Sequence, residues 1–199
     1  NILGTVLALE LSRKYKIKRF VHASTIYVNS VEGGFYRSSK KAAEDYVEEY
    51  KKIHGLNYTI LRFGSLYGQR SDDTNGVRFI LKEAITKNQV SYTGSRKTTR
   101  RYIHVLDAAE ACADTLKVKY KNKHIIITGK KEIKMTEFLK NLSKILNISK
   151  KISFKNRKTV GHYETTPYTY KFNKGQTLKL KSNIDIYSGV LKIIDEIKN

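Results

Sequence analysis

A chain of 199 residues with 40% hydrophobic side chains is long enough to bury a core and too apolar to stay disordered. Its formal charge of +21 invites a nucleic-acid reading, yet lysine supplies most of the 39 basic residues and lies dispersed in short runs, which reads as a solvated surface. The single cysteine, Cys112, excludes an internal disulfide and a multi-cysteine zinc site, and no apolar stretch approaches the ~18 residues of a membrane span.

Asn1 to about Lys14 predicts a helix with Leu3, Val6, Leu7 and Leu11 as its apolar stripe. The chain enters this pattern at once, without Met or a signal peptide, and reads as a piece of a longer protein. Lys18 to Ala23 predicts a short strand ending in Ser24 and Thr25. A Gly33-Gly34 loop leads into a helix from about Tyr36 to His54, with Ala43, Tyr46, Val47 and Tyr50 facing inward and Gly55 as its stop. Tyr58 to Phe63 is the next strand and ends in a Gly64/Gly68 loop.

A helix follows from Asn75 to about Lys87, then a strand from Val90 to Thr93 and a strand-like run from Arg101 to Val105. Asp107 is expected to cap an alanine-rich helix to about Lys117, with Cys112 buried in it. His124 to Thr128 is an apolar strand, and Thr136 is expected to cap a helix from Glu137 to Leu146. The pattern then weakens until a terminal helix from about Tyr187 to Lys198. Apolar strands alternating with helices point to an α/β protein whose parallel sheet is covered on both faces.

One stretch carries chemistry. Tyr36-Arg37-Ser38-Ser39-Lys40 places a phenol and an ammonium one helical turn apart on a shared face. A free tyrosine titrates near ~10, and a nearby cation favours its phenolate. The pair suggests a proton-transfer device built from tyrosine instead of histidine.

Five motifs in order frame that pair: Asn1-x-x-Gly4-Thr5, Ala23-Ser24-Thr25, Tyr36-x-x-x-Lys40, Leu61-Arg62-Phe63-Gly64-Ser65-Leu66-Tyr67-Gly68, and Arg100-Arg101-Tyr102-Ile103-His104-Val105-Leu106-Asp107. Together they resemble the extended short-chain dehydrogenase/reductase family, in particular its nucleotide-sugar epimerases and dehydratases, over most of residues 1 to about 130. The resemblance implies a doubly wound, Rossmann-like parallel sheet lacking its first strands, with a small interleaved substrate-binding cap. Residues 1–70 and 100–129 would then be the rest of a dinucleotide-binding domain, and 71–99 and 130–199 the cap. The family's opening strand and G-x-x-G-x-x-G turn are absent from the chain and are expected upstream of Asn1, the alternative being a natural protein that has lost its cofactor site. Residues 1–199 alone are therefore expected to bind a dinucleotide poorly and to be inactive.

The resemblance assigns roles residue by residue. Tyr36 would be the catalytic acid/base; Lys40 would tune it and bond the nicotinamide ribose. Thr25 would hold the reacting oxygen and Phe63 would line the nicotinamide pocket. Ser65 stands where many epimerases have an asparagine on the substrate diphosphate, and Arg100 matches the arginine that grips it. Asn1 would orient a water or backbone group, Ser24 would support its turn, and His104 would pack or hydrogen-bond within its motif. Family dehydratases carry Asp-Glu after the Ser-Thr; Ile26 and Tyr27 stand there instead, which argues against a 4,6-dehydratase. The aromatic segment Gly161 to Tyr170 is read equally as a sugar-facing loop or a packed turn.

The implied function is a cytoplasmic epimerase of nucleotide-diphosphate sugars, acting at C4 by transient oxidation with NAD, NADP being open. Nucleic acid and membrane are not expected as partners. A homodimer through helices resembling 1–14 and 36–54 is open. The rivals are an NAD(P)H-dependent keto-sugar reductase, a degenerate nucleotide-binding member, and a basic nucleic-acid-binding module.

Overall fold

The computed structural model describes residues 1–150, 152–155 and 176–198, so the aromatic segment 161–170 lies outside the described residues. Elements are numbered in chain order. The chain divides into two units. The first comprises 1–64, 109–127 and the described part of 167–180; the second comprises 65–108 and the described parts of 128–166 and 181–199.

The first unit is built on a parallel sheet of β1 (Phe20–Thr25), β2 (Tyr58–Phe63), β7 (Lys123–Ile127) and β10 (Gln176–Thr177), in the order β1-β2-β7-β10. Ile60, Leu61, Ile125, Ile126 and Ile127 are all buried, which is why these strands read as apolar runs. The register sets Thr25 opposite Phe63 and Phe63 opposite Ile127, so the three strands end level with one another. Among the described residues β1 pairs only with β2 and is an edge strand. The sheet, its parallel sense and its flanking helices make the fold Rossmann-like α/β, as expected.

Helices α1 (Ile2–Lys14) and α2 (Gly34–His54) close over a core of Leu9, Val47, Leu56, Tyr58 and Ile60. Gly55, at φ +71°, ends α2 in the left-handed region where glycine bears no Cβ penalty. The expected stripe of α1 does not face this core. Leu3, Leu7 and Leu11 are exposed and Leu9 is fully buried, because α1 packs through the Leu9 side and the i, i+4 leucine row lies off that face. Likewise Ala43 and Val47 of α2 are buried, but Tyr46 is exposed.

The second unit has its own core, in which α3 (Gly76–Lys87), α5 (Met135–Ile145) and α6 (Ile186–Lys198) bury Leu81, Phe138, Leu142, Val190 and Ile193. Asn75 caps α3, its Oδ1 accepting from the backbone N–H groups of Val77 and Arg78. Short pairs complete the unit. β3 (Ser65–Tyr67) runs parallel to β6 (Tyr102–His104), and β4 (Ser91–Thr93) parallel to β9 (Ser153–Lys155). β5 (Thr99–Arg100) is antiparallel to β8 (Ile133–Lys134). Gly129 is needed for its closeness to β6: a Cβ there would lie 1.9 Å from the Tyr102 carbonyl oxygen.

α4 (Val105–Asp114) straddles the division and begins two residues before the expected cap. Asp107 is therefore not a cap. Its carboxylate accepts from the Ser182 hydroxyl at 3.0 Å and the Ile184 N–H at 2.7 Å. The buried His104 meets the helix start instead, its Nδ1 accepting from Leu106 N–H at 3.3 Å. Thr136 lies inside α5, not before it, and Cys112 is half-buried, not buried.

Candidate active site

The site grows from the end of β1. Thr25 is buried there, and its Oγ1 accepts from the Tyr27 backbone N–H at 3.3 Å, opening a 3₁₀ turn over Ile26–Asn29. The chain returns through Gly33 at φ +111°, where an added Cβ would come to 2.8 Å of both Tyr27 Cδ1 and Arg37 Cβ. Only glycine fits that passage.

Tyr36 follows in the first turn of α2. It is 48% exposed and meets Tyr27 edge-on, with ring centroids 6.2 Å apart. Its carbonyl accepts from Ser39 Oγ at 2.9 Å, and Ser39 Oγ accepts from Asn1 Nδ2 at 2.9 Å. Asn1 thus ties the start of α1 to the start of α2. Lys40 is one turn further on. Its Nζ donates to the Ala23 carbonyl at 2.8 Å, and burial pushes its ammonium below the ordinary lysine value.

One more turn along the same row stands Glu44, 1% exposed, with Arg62 of β2, 4% exposed, beside it. Arg62 donates from Nε to Glu44 Oε1 at 3.0 Å and from Nη2 to Oε2 at 2.7 Å. Ser24 Oγ also donates to Oε1, at 2.5 Å, and Arg62 Nη1 reaches Asn29 Oδ1 at 3.5 Å. This bidentate pair clamps α2 onto β1 and β2, and so fixes where Tyr36 and Lys40 stand. Ser24 serves the clamp, a role sequence reasoning missed. The signal was Arg62 itself, a charge inside an apolar strand that needs a buried partner. His22 is buried beside the clamp, its pKa pushed down to about 4 chiefly by burial, with Lys40 lowering it further and Glu44 opposing.

Phe63 is half-buried at the end of β2, in register with Thr25. The first unit therefore gathers Thr25, Tyr36, Lys40 and Phe63 at the carboxyl edge of its sheet. Ser65 and Arg100 belong to the second unit. Ser65 opens β3 opposite Tyr102; Arg100 lies in β5 opposite Ile133, and its Nη1 donates to the Thr99 carbonyl at 2.9 Å.

The profile of the NAD dependent epimerase/dehydratase family matches residues 1–128. The chain belongs to this family. Within it, a putative UDP-glucose 4-epimerase of Methanocaldococcus jannaschii is 27% identical over 218 aligned positions, covering 100% of this chain and 69% of that protein. Two crystal structures share the family fold. One is a UDP-glucuronic acid 4-epimerase from Bacillus cereus, in complex with UDP-glucuronic acid and NAD, with a TM-score of 0.84 at 20% identity over 99% of this chain and 67% of that one. The other is a UDP-glucose 4-epimerase from Thermotoga maritima with UDP-glucose, with a TM-score of 0.78 at 22% identity over 99% and 69%.

Proposed function

We propose that this chain is the larger part of an NAD-dependent epimerase that inverts C4 of a nucleotide-diphosphate sugar through a transient keto-sugar. The observation that carries the reading is the row Tyr36, Lys40, Glu44. Its buried end is clamped by Arg62, its middle is bonded to the Ala23 carbonyl, and its free end leaves Tyr36 half-exposed beside the end of β1. In this reading Tyr36 Oη takes the proton of the C4 hydroxyl and later returns one. Thr25 Oγ1 uses its lone pair on Tyr27 N–H, which leaves its own proton to donate to the reacting oxygen. Lys40 spends one N–H on Ala23 and keeps two for a ribose hydroxyl and the tyrosine oxygen.

For the dinucleotide, the residues present fit one end. The Lys40 ammonium and the half-buried Phe63 ring at the carboxyl edge suit a nicotinamide riboside, whereas no glycine-rich turn for its pyrophosphate occurs among the 199 residues. When bound, NAD supplies acceptance and return of a hydride at C4. The first unit is assigned to the cofactor and the second, with Ser65 and Arg100, to the substrate diphosphate. Ile26 and Tyr27 offer no carboxylate to take a proton from carbon, which favours epimerisation over dehydration. Exposed Leu3, Leu7 and Leu11 of α1, with Tyr46 and Ile53 of α2, support a homodimer through these helices.

The test is Tyr36→Phe in the complete enzyme, assayed on UDP-glucose and UDP-glucuronic acid. Turnover is expected to fall by roughly 10²–10⁴, with binding of the sugar nucleotide retained. Near-normal turnover would reject the role of Tyr36, and stoichiometric consumption of NADH would replace the epimerase with a keto-sugar reductase.

A further inference from the structure

The helix ends and connections that lead into the parallel strands of the first unit carry a charge pattern that the chemistry at the carboxyl edge does not use. Residues 11–19 lead into β1, 51–57 into β2 and 115–123 into β7; together they hold eleven lysines and arginines and no aspartate or glutamate. Dispersed in sequence, they are gathered by the fold. Phe20 N–H donates to the Asn57 carbonyl at 2.8 Å and Asn122 N–H to the Tyr58 carbonyl at 2.7 Å, while the Arg19 guanidinium donates to the Thr115 and Lys117 carbonyls at 3.0 and 3.1 Å.

Two shallow recesses open on this edge and share Ile17 and Lys18. The larger, about 430 Å³, is lined by Ile17, Lys18, Arg19, Leu116, Val118 and Lys121. The apolar members stand well out among the cations: Ile17 is 49% exposed, Leu116 62% and Val118 80%. Of the cations, Arg13, Lys52 and Lys117 are paired with Glu10, Glu49 and Asp114 and Arg19 is held by carbonyls, whereas Lys16, Lys18 and Lys121 have no carboxylate within ion-pair distance among the described residues.

A nucleic-acid surface would present arginine forks and flat rings for bases. Here the arginines are engaged and the protruding groups around the larger recess are aliphatic, set between flexible lysines. That combination matches a lipid leaflet, whose acyl boundary takes aliphatic side chains while its anionic headgroups meet the ammonium groups. We propose that the amino-terminal edge of this sheet docks the protein peripherally on an anionic lipid surface. The carboxyl edge, with Tyr36 and Lys40, lies at the other end of the same strands and stays clear of the bilayer. The inference holds whatever reaction that edge performs.

The test is sedimentation of the complete protein with phosphatidylcholine vesicles, with and without about one-third phosphatidylserine. Preferential binding to the anionic vesicles, roughly tenfold, is expected. Lys18→Glu with Lys121→Glu should remove about tenfold of it, and Leu116→Ser with Val118→Ser should remove the part that survives salt screening. All four side chains are surface groups, and an unchanged circular dichroism melt for each pair verifies that the fold is intact. Equal partition to neutral vesicles, no vesicle binding, or binding untouched by both variants would overturn the proposal. So would tight binding of a labelled RNA by a chain that ignores vesicles.

Discussion

Glu44→Ala is the sharpest perturbation of the clamp behind the site. Removing the carboxylate leaves Arg62, 4% exposed, with two N–H donors stripped of their partner, and it orphans the Ser24 hydroxyl as well. Breaking a buried pair on one side costs about 3–5 kcal/mol, because the remaining charge loses its counter-ion and stays out of water. In a chain of 199 residues each kcal/mol moves the melting temperature by about 2–4 °C, so a drop of roughly 6–20 °C is expected. The assay is urea and thermal unfolding followed by far-ultraviolet circular dichroism. The double variant Glu44→Leu/Arg62→Met removes both charges and should recover most of the loss, since an apolar pair of similar volume is often neutral or better. A loss below ~1 kcal/mol for Glu44→Ala, or a double variant no more stable than the single, would refute the description of a dry, mutually dependent pair.

Gly33→Ala should cost about 1–3 kcal/mol, because both the φ of +111° and the 2.8 Å approach to Tyr27 and Arg37 oppose a Cβ; a urea midpoint equal to wild type would contradict it. Gly129→Ala should cost at least ~3 kcal/mol, since the atom it would meet at 1.9 Å is a backbone oxygen that has no rotamer to escape into; normal yield and melting would count against that packing. His22 is neutral when folded and pushed down to about 4, so the unfolded chain takes up a proton first as pH falls through 6.5. Its contribution is complete above pH 6.5 and is lost progressively towards pH 4. His22→Leu should flatten that slope relative to wild type, the burial-lowered His104 and His124 being common to both proteins; parallel slopes would refute it.

The elements that the sequence made legible are those whose pattern is local. The apolar runs of β2 and β7, the stop at Gly55 and the Tyr36–Lys40 spacing each depend on neighbours within one turn or one strand. What escaped depends on distant partners. The two-residue strands β5, β8 and β10 have no periodicity to read and exist only because another strand lies alongside. The outward leucine row of α1 looks in sequence like a core stripe, since helical spacing reports that a face is apolar and not what it meets. Asp107 looked like a cap because aspartate is favoured there, yet its oxygens are engaged by Ser182 and Ile184, more than seventy positions downstream. Even at the site, the phenol and amine were visible, while the carboxylate that fixes their helix was hidden in Glu44, one acid among several on α2.

Among the described residues, the strand that carries Thr25 has a neighbour on one flank only, and Val21 on it is 37% exposed. Backbone donors and acceptors along the other flank form a ready template for a foreign strand, indifferent to that strand's sequence. In a polypeptide limited to residues 1–199, that flank would favour ribbon-like association by strand addition, a route separate from any helix-mediated pairing. A lysine in place of Val21 would blunt that flank by charge repulsion between copies without touching the bonds to β2.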